Sequence, residues 1–154
     1  PTSSQNWRPA MTDRLISKII EDQEIVTAPS DMTVSDAALL MREKHIGAVI
    51  VVENAKLAGI FTERDALFRV VAEGRDSKTT VLADVMTRNP QTVKPDQPFS
   101  VALQMMYGGK FRHVPVVENG LPVGIISARD ALGPELEAFV YELLRQEQVE
   151  NILA

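Results

Sequence analysis

GIFTERDAL at Gly59–Leu67 returns as GIISARDAL at Gly124–Leu132, a spacing of 65 residues. Working outward from these stretches, Thr27–Leu67 lies on Thr92–Leu132 without a gap and agrees at 16 of 41 positions, where unrelated stretches share roughly two or three. The chain therefore contains one unit twice. Two copies of a small βα element can pack about a pseudo-twofold axis, which turns the residues they share toward a common cleft.

The periodicity around each motif gives the order strand, helix, strand, strand, helix. In the first copy EIVTA predicts a short strand, and SDMTVSDAALLMREKH predicts a helix with Ala37, Leu40 and Met41 on one face. A β-branched run at Ala48–Val52 and a second at Leu57–Phe61, separated by ENAK, read as paired strands. Thr62 then opens a helix to about Glu73, and polar EGRDSKTT with Gly74 reads as the linker. The second copy has a short strand at Thr92 between Pro90 and Pro95, and a helix from Phe99 to about Tyr107 ended by Gly108 and Gly109. Strands at Val114–Val117 and Val123–Ile126 follow.

Residues 1–10, including Trp7, read as a flexible tail. Met11–Glu21, with Thr12 as cap and Leu15, Ile16, Ile19 and Ile20 at helical spacing, predicts an amphipathic helix. The copies span 11–75 and 76–133. A final helix at 134–154 carries an apolar stripe of Leu136, Phe139, Val140, Leu143, Leu144 and Ile152 that needs a partner: the first helix, the sheet or a second subunit. Met41, Met105 and Met106 read as core filler.

With 154 residues, 45% of them hydrophobic, the chain suffices for one domain made of two halves. No apolar run approaches the ~20 residues of a membrane helix, and no signal-peptide leader is read, so a soluble, cytoplasmic protein is expected. Zero cysteines exclude disulfides and thiolate chemistry. Two histidines, His45 and His113, far apart in sequence, do not suggest a metal site. A net charge of −5 argues against a general nucleic-acid binder. An anionic ligand must meet locally placed cations.

In both copies a hydroxyl residue, Thr62 or Ser127, follows the strand, and an aspartate, Asp65 or Asp130, stands three positions on. This spacing fits a capping box. It equally fits a binding turn, because Arg64 and Arg129 occupy the second helical position, where the helix dipole disfavours a cation unless an anion accompanies it. The anion could be a phosphate or a neighbouring carboxylate such as Glu63, which only the first copy has. Asp65 and Asp130 suit the two hydroxyls of a ribose, or simply complement the helix start.

Together with FRHVPVVENG at 111–120, these motifs closely resemble the cystathionine-β-synthase (CBS) domain, and the two copies resemble a tandem pair, or Bateman module, over about residues 12–133. The resemblance implies an α/β (α+β) fold of two βαββα units packed sheet to sheet about a pseudo-twofold axis, with flanking helices. It also implies clefts for adenosine compounds such as AMP, ADP, ATP, NAD or S-adenosylmethionine, sensing without catalysis, and a homodimer. By resemblance, Asp65 and Asp130 hold the ribose diol, and Thr62, Ser127, Arg64 and Arg129 meet phosphate. Thr27 and Thr92, with Gly47, Ala48, Val49 and Arg112, His113, Val114, line the base and the cleft.

Arg112 and His113 precede Pro115 in the form the family uses for phosphate contact, whereas the first copy has Gly47, Ala48 and Ile50. The site of Asp130 is therefore expected to be the stronger. No effector domain is read beyond the two copies, so the output is expected to pass to another protein or to a second copy of this chain. A nucleotide-acting enzyme and a ligand-free oligomerisation scaffold are the competing readings.

Overall fold

The computed structural model describes residues 13–153, without the side chains of Pro134 and 148–153. The expected tail with Trp7, the Thr12 cap and the Ile152 side chain lie outside the described residues. A short helical turn α1 (Ile16–Ile19) leads into β1 (Thr27–Pro29), α2 (Val34–Lys44), β2 (Ala48–Glu53) and β3 (Lys56–Thr62). A short helix α3 (Glu63–Asp65) continues as a π-helical turn at Ala66–Val71. The second copy follows with α4 (Leu82–Val85), β4 (Thr87–Arg88), α5 (Phe99–Gly109), β5 (His113–Glu118), β6 (Leu121–Ser127), a 3-10 turn at Ala128–Asp130 and α6 (Gly133–Leu153).

One sheet has the order β1-β2-β3-β4, with β1 parallel to β2 and the remaining pairs antiparallel; the other pairs β5 with β6. The strand expected at Thr92 is reduced to a parallel bridge between Val93 and Val116. In the first copy Thr27 lies opposite Ile50. The equivalent of Ile50 is Pro115, which has no N–H to donate to the Gln91 carbonyl, the next acceptor of that parallel ladder, so the ladder cannot extend.

Both hairpins turn on two residues with positive φ, Asn54–Ala55 and Asn119–Gly120, as a tight two-residue hairpin requires. The helix α5 includes Gly108 and Gly109, and its left-handed cap is Lys110, matching His45 at the end of α2. After Ser127 the expected helix stops at the 3-10 turn. Gly133–Pro134 stand there in place of Phe68–Arg69, and proline both lacks an amide hydrogen and restricts the residue before it.

The two cores do not follow the chain order. Ala28, Val34, Ala37, Val49, Val51 and Phe61 of the first copy enclose Leu82, Val85 and Met86 from the segment leading into the second. Reciprocally, Phe99, Ala102, Val114 and Ile126 enclose Ile16, with Ile19 and Ile20 packed alongside. The expected helix at Met11–Glu21 is thus a single turn within the described residues, held by the opposite copy.

The hydrogen bonds repeat the exchange. Ile16 and Ser17 N–H donate to the Gln97 and Pro95 carbonyls, as Leu82 and Ala83 do to Met32 and Ser30. This correspondence defines the pseudo-twofold. It also explains the motif glycines: a Cβ on Gly59 would lie 2.6 Å from the Thr87 oxygen, and one on Gly124 would lie 2.9 Å from Ile20 and Gln23. The Gln23 side chain pairs with both the N–H and the carbonyl of Ile125 at 2.7 and 2.9 Å, standing in for a strand along β6.

A second lock joins the N-terminal segment to α6. The Arg14 guanidinium donates to Glu135 at 2.8 and 3.0 Å and to the Asp130 carbonyl at 2.7 Å. The Glu135 side chain is 4% exposed. Burial alone would push its carboxyl up, but hydrogen bonds from Arg14 and from the Leu132 N–H hold it below its ordinary value. On α6, Phe139 packs on the second core, while Leu136, Val140 and Leu144 of the expected stripe remain exposed.

Candidate functional site

Each TERD-like turn is a strand end held by its own side chains. Thr62 Oγ1 accepts from the Asp65 N–H at 3.1 Å, and Asp65 Oδ2 accepts from the Thr62 N–H at 3.0 Å. In the second copy Asp130 Oδ2 accepts from the Ser127 N–H at 2.8 Å, while Ser127 Oγ accepts from the Arg129 N–H. The capping role is present, and it occupies one oxygen of each aspartate. Asp65 Oδ1 lies 3.6 Å from Arg69 Nε.

These turns sit at two cavities related by the pseudo-twofold. The larger, about 980 Å³, brings Thr62, Arg64 and Asp65 together with Lys110, Arg112 and His113, and Asn89 and Pro90 complete its rim. The smaller, about 680 Å³, brings Ser127 and Arg129 to His45, Ile46 and Gly47. His45 and Gly47 are the repeat equivalents of Lys110 and Arg112. Glu63, Arg112 and His113 line both cavities and form their common wall.

Each cavity is therefore built across the copies. This corrects the expectation that Arg112 favours the Asp130 site: Arg112 stands with Asp65 in the larger cavity, and Asp130 lines neither of the two. Other expected residues are also placed elsewhere. Ala48, Val49, Val114 and Pro115 are buried in the sheets, Thr27 is exposed on β1, and Thr92 lines a separate cavity with Lys94 and Asp96. Lys110, Phe68 and Asn89 were not singled out from the sequence, and Glu63 was read only as a possible partner for Arg64. Only the nearness of Lys110 to Arg112, and of Glu63 and Phe68 to the motif, pointed to them.

The electrostatics favour an anion in the larger cavity. Arg64 stacks on Phe68, with its guanidinium carbon 5.3 Å from the ring centroid, and makes no pair with Glu63. Arg64, Lys110 and Arg112 take part in none of the ion pairs among the described residues. Burial lowers the His113 pKa; Glu63 and Asp130 oppose this, and Arg129 and Arg112 add to it. Burial thus favours the neutral form of His113. A polar cradle with a hydroxyl, a carboxylate and three uncommitted cations suits a ligand with a diol and a phosphate.

The CBS-domain profile matches residues 16–72 and 82–134. The chain belongs to the CBS-domain family. It is 37% identical over 133 residues to the CBS domain-containing protein CBSCBSPB3 of Arabidopsis thaliana, covering 86% of this chain and 24% of that protein. The chain spans between 20% and 55% of the length of the first curated relatives it matches. Among solved structures, the CBS-domain protein ATU1752 of Agrobacterium tumefaciens is similar at TM-score 0.70 and 33% identity, over 77% of this chain and 96% of that one. The CBS domain protein PAE2072 of Pyrobaculum aerophilum, complexed with AMP, is similar at TM-score 0.74 and 25% identity, over 83% and 99% of the two chains. The CBS repeats are a tandem pair, in the manner of a Bateman module. Among the described residues no helix is long and apolar enough to cross a membrane.

Proposed function

We propose that this CBS pair is a regulatory module that captures an adenine nucleotide (AMP, ADP, ATP or NAD) between its copies and performs no chemistry on it. The observation that carries this reading is the larger cavity, where Thr62, Arg64 and Asp65 face Lys110 and Arg112 across the copies and the three cations form no ion pair among the described residues. The AMP-bound relative supports the ligand class. Thr62 with Arg64 and Arg112 meets phosphate, and Asp65 Oδ1 meets the ribose. The smaller cavity supplies Ser127 and Arg129 for a second, weaker site.

Signalling follows if the ligand binds the closed arrangement more tightly than the open one. The exposed apolar Leu39, Leu67 and Val71, and the outer face of α6, suit a second copy of the chain as partner, and a downstream protein reads the result. A cytoplasmic location belongs to the same proposal, and cell fractionation tests it.

Calorimetric titration with AMP, ADP, ATP and NAD decides the ligand, with product analysis of the same mixtures. Binding without turnover is expected, weakened at least tenfold by Asp65→Ala and less by Asp130→Ala. Turnover, or no binding to any of the four, overturns the reading.

A further inference from the structure

The common wall of the two cavities carries a charge of the wrong sign for a phosphate site. Glu63 lines both cavities, and among the described residues it is the sole carboxylate of the smaller, which Arg42, Arg112 and Arg129 also line. The other carboxylate of the larger cavity, Asp65, holds its cap through Oδ2 and has Arg69 3.6 Å from Oδ1. Glu63 is in none of the ion pairs among the described residues. Its carboxylate lies over Gly47, where a Cβ would come within 3.0 Å of Oε1 and 3.6 Å of His113 Nε2. The twofold equivalent of Glu63 is Ala128, so nothing in the repeat or in the cap requires a carboxylate here.

We propose that Glu63 selects ligands by charge: it admits a nucleoside monophosphate to the paired cavities and disfavours a tail whose further phosphates reach the shared wall. The inference rests on the nucleotide reading. A single phosphate is satisfied by Thr62, Arg64 and Arg112, the residues that flank Glu63 or share its wall. Each added phosphate brings further negative charge beside that carboxylate, and like charges a few ångströms apart repel strongly where water is partly excluded. Gly47 keeps the carboxylate in the wall, because a larger residue there would displace it.

The test is calorimetric titration of AMP and ATP, without divalent cations, into the wild type, Glu63→Gln and Ala128→Glu. The affinity ratio of ATP to AMP should rise about tenfold in Glu63→Gln, which corresponds to ~1.4 kcal/mol of relieved repulsion. Ala128→Glu, whose residue lines the smaller cavity and not the larger, should lower the ratio at that second site only. A ratio unchanged or lowered in Glu63→Gln overturns the inference and leaves the nucleotide reading intact. No binding of either nucleotide to the wild type overturns both.

Discussion

Replacing Gly59 by alanine tests the reciprocal packing at its tightest point. The new Cβ would lie 2.6 Å from the Thr87 carbonyl oxygen, 2.9 Å from Met86 Sδ and 3.2 Å from Met86 Cγ. Met86 is 4% exposed and cannot swing into solvent, and the Thr87 oxygen belongs to β4, which pairs with Gly59 itself. The strand must therefore move. Overpacking of this kind costs ~1–3 kcal/mol, and the removal of a glycine from a strand returns ~0.5–1 kcal/mol. A net loss of about 1–2 kcal/mol is expected.

Urea unfolding should show this as a lower midpoint with an unchanged m-value, and thermal unfolding as a fall of about 2–8 °C for a chain of this size. Gly124→Ala meets only side chains, Ile20 and Gln23. Its cost is smaller, because the Gln23 side chain can shift and weaken its hydrogen bonds to Ile125 where a backbone carbonyl cannot give way. If Gly59→Ala unfolds within ~0.5 kcal/mol of the wild type, the account of why the motif begins with glycine is wrong.

Ala55 has a φ of 66° where the second hairpin has Gly120 at 81°; Ala55→Gly should raise stability by up to ~1 kcal/mol in the same assay, and a loss would contradict the strain assigned there. Because the folded-state pKa of Glu135 is depressed, its contribution is present above the unfolded carboxyl value of ~4.3 and lost as pH falls through the lower folded value. Glu135→Gln should flatten that acid limb and cost about 1–3 kcal/mol at pH 7, and an unchanged acid limb would refute the lock. His113, lowered by burial, should take up a proton when an anion binds, so nucleotide affinity rises as pH falls below the bound-state pKa. His113→Gln should abolish that slope in titrations between pH 8 and ~5.5, and an equal slope would assign it elsewhere.

The paired strands were legible because Ala48–Val52 and Leu57–Phe61 are apolar runs bracketed by turn residues, and the motif at Gly59–Leu67 named its own second copy. The lost strand at Thr92 and the shortened helix after Ser127 were written in Pro115 and Gly133–Pro134, whose effect on ladder and helix outweighed the repeat. The exchange of leading segments was not legible. ISKII and LADVM are one-turn apolar stretches that fit either sheet, and only the close approach to Gly59 and Gly124 selects the opposite copy. The composition of the cavities went unread for the same reason: Arg112 belongs to the second motif in sequence but serves the first motif's turn in space.

The crossing of the leading segments makes the linker at 73–80 more than a tether. A half cut out at this point would present an unfilled sheet and an orphaned tenon, and two such fragments would be expected to lock together in trans. Joined in one chain, the halves have no independent unfolding step of their own; the pair should melt in a single cooperative transition, and a nucleotide held across the seam would stiffen both at once.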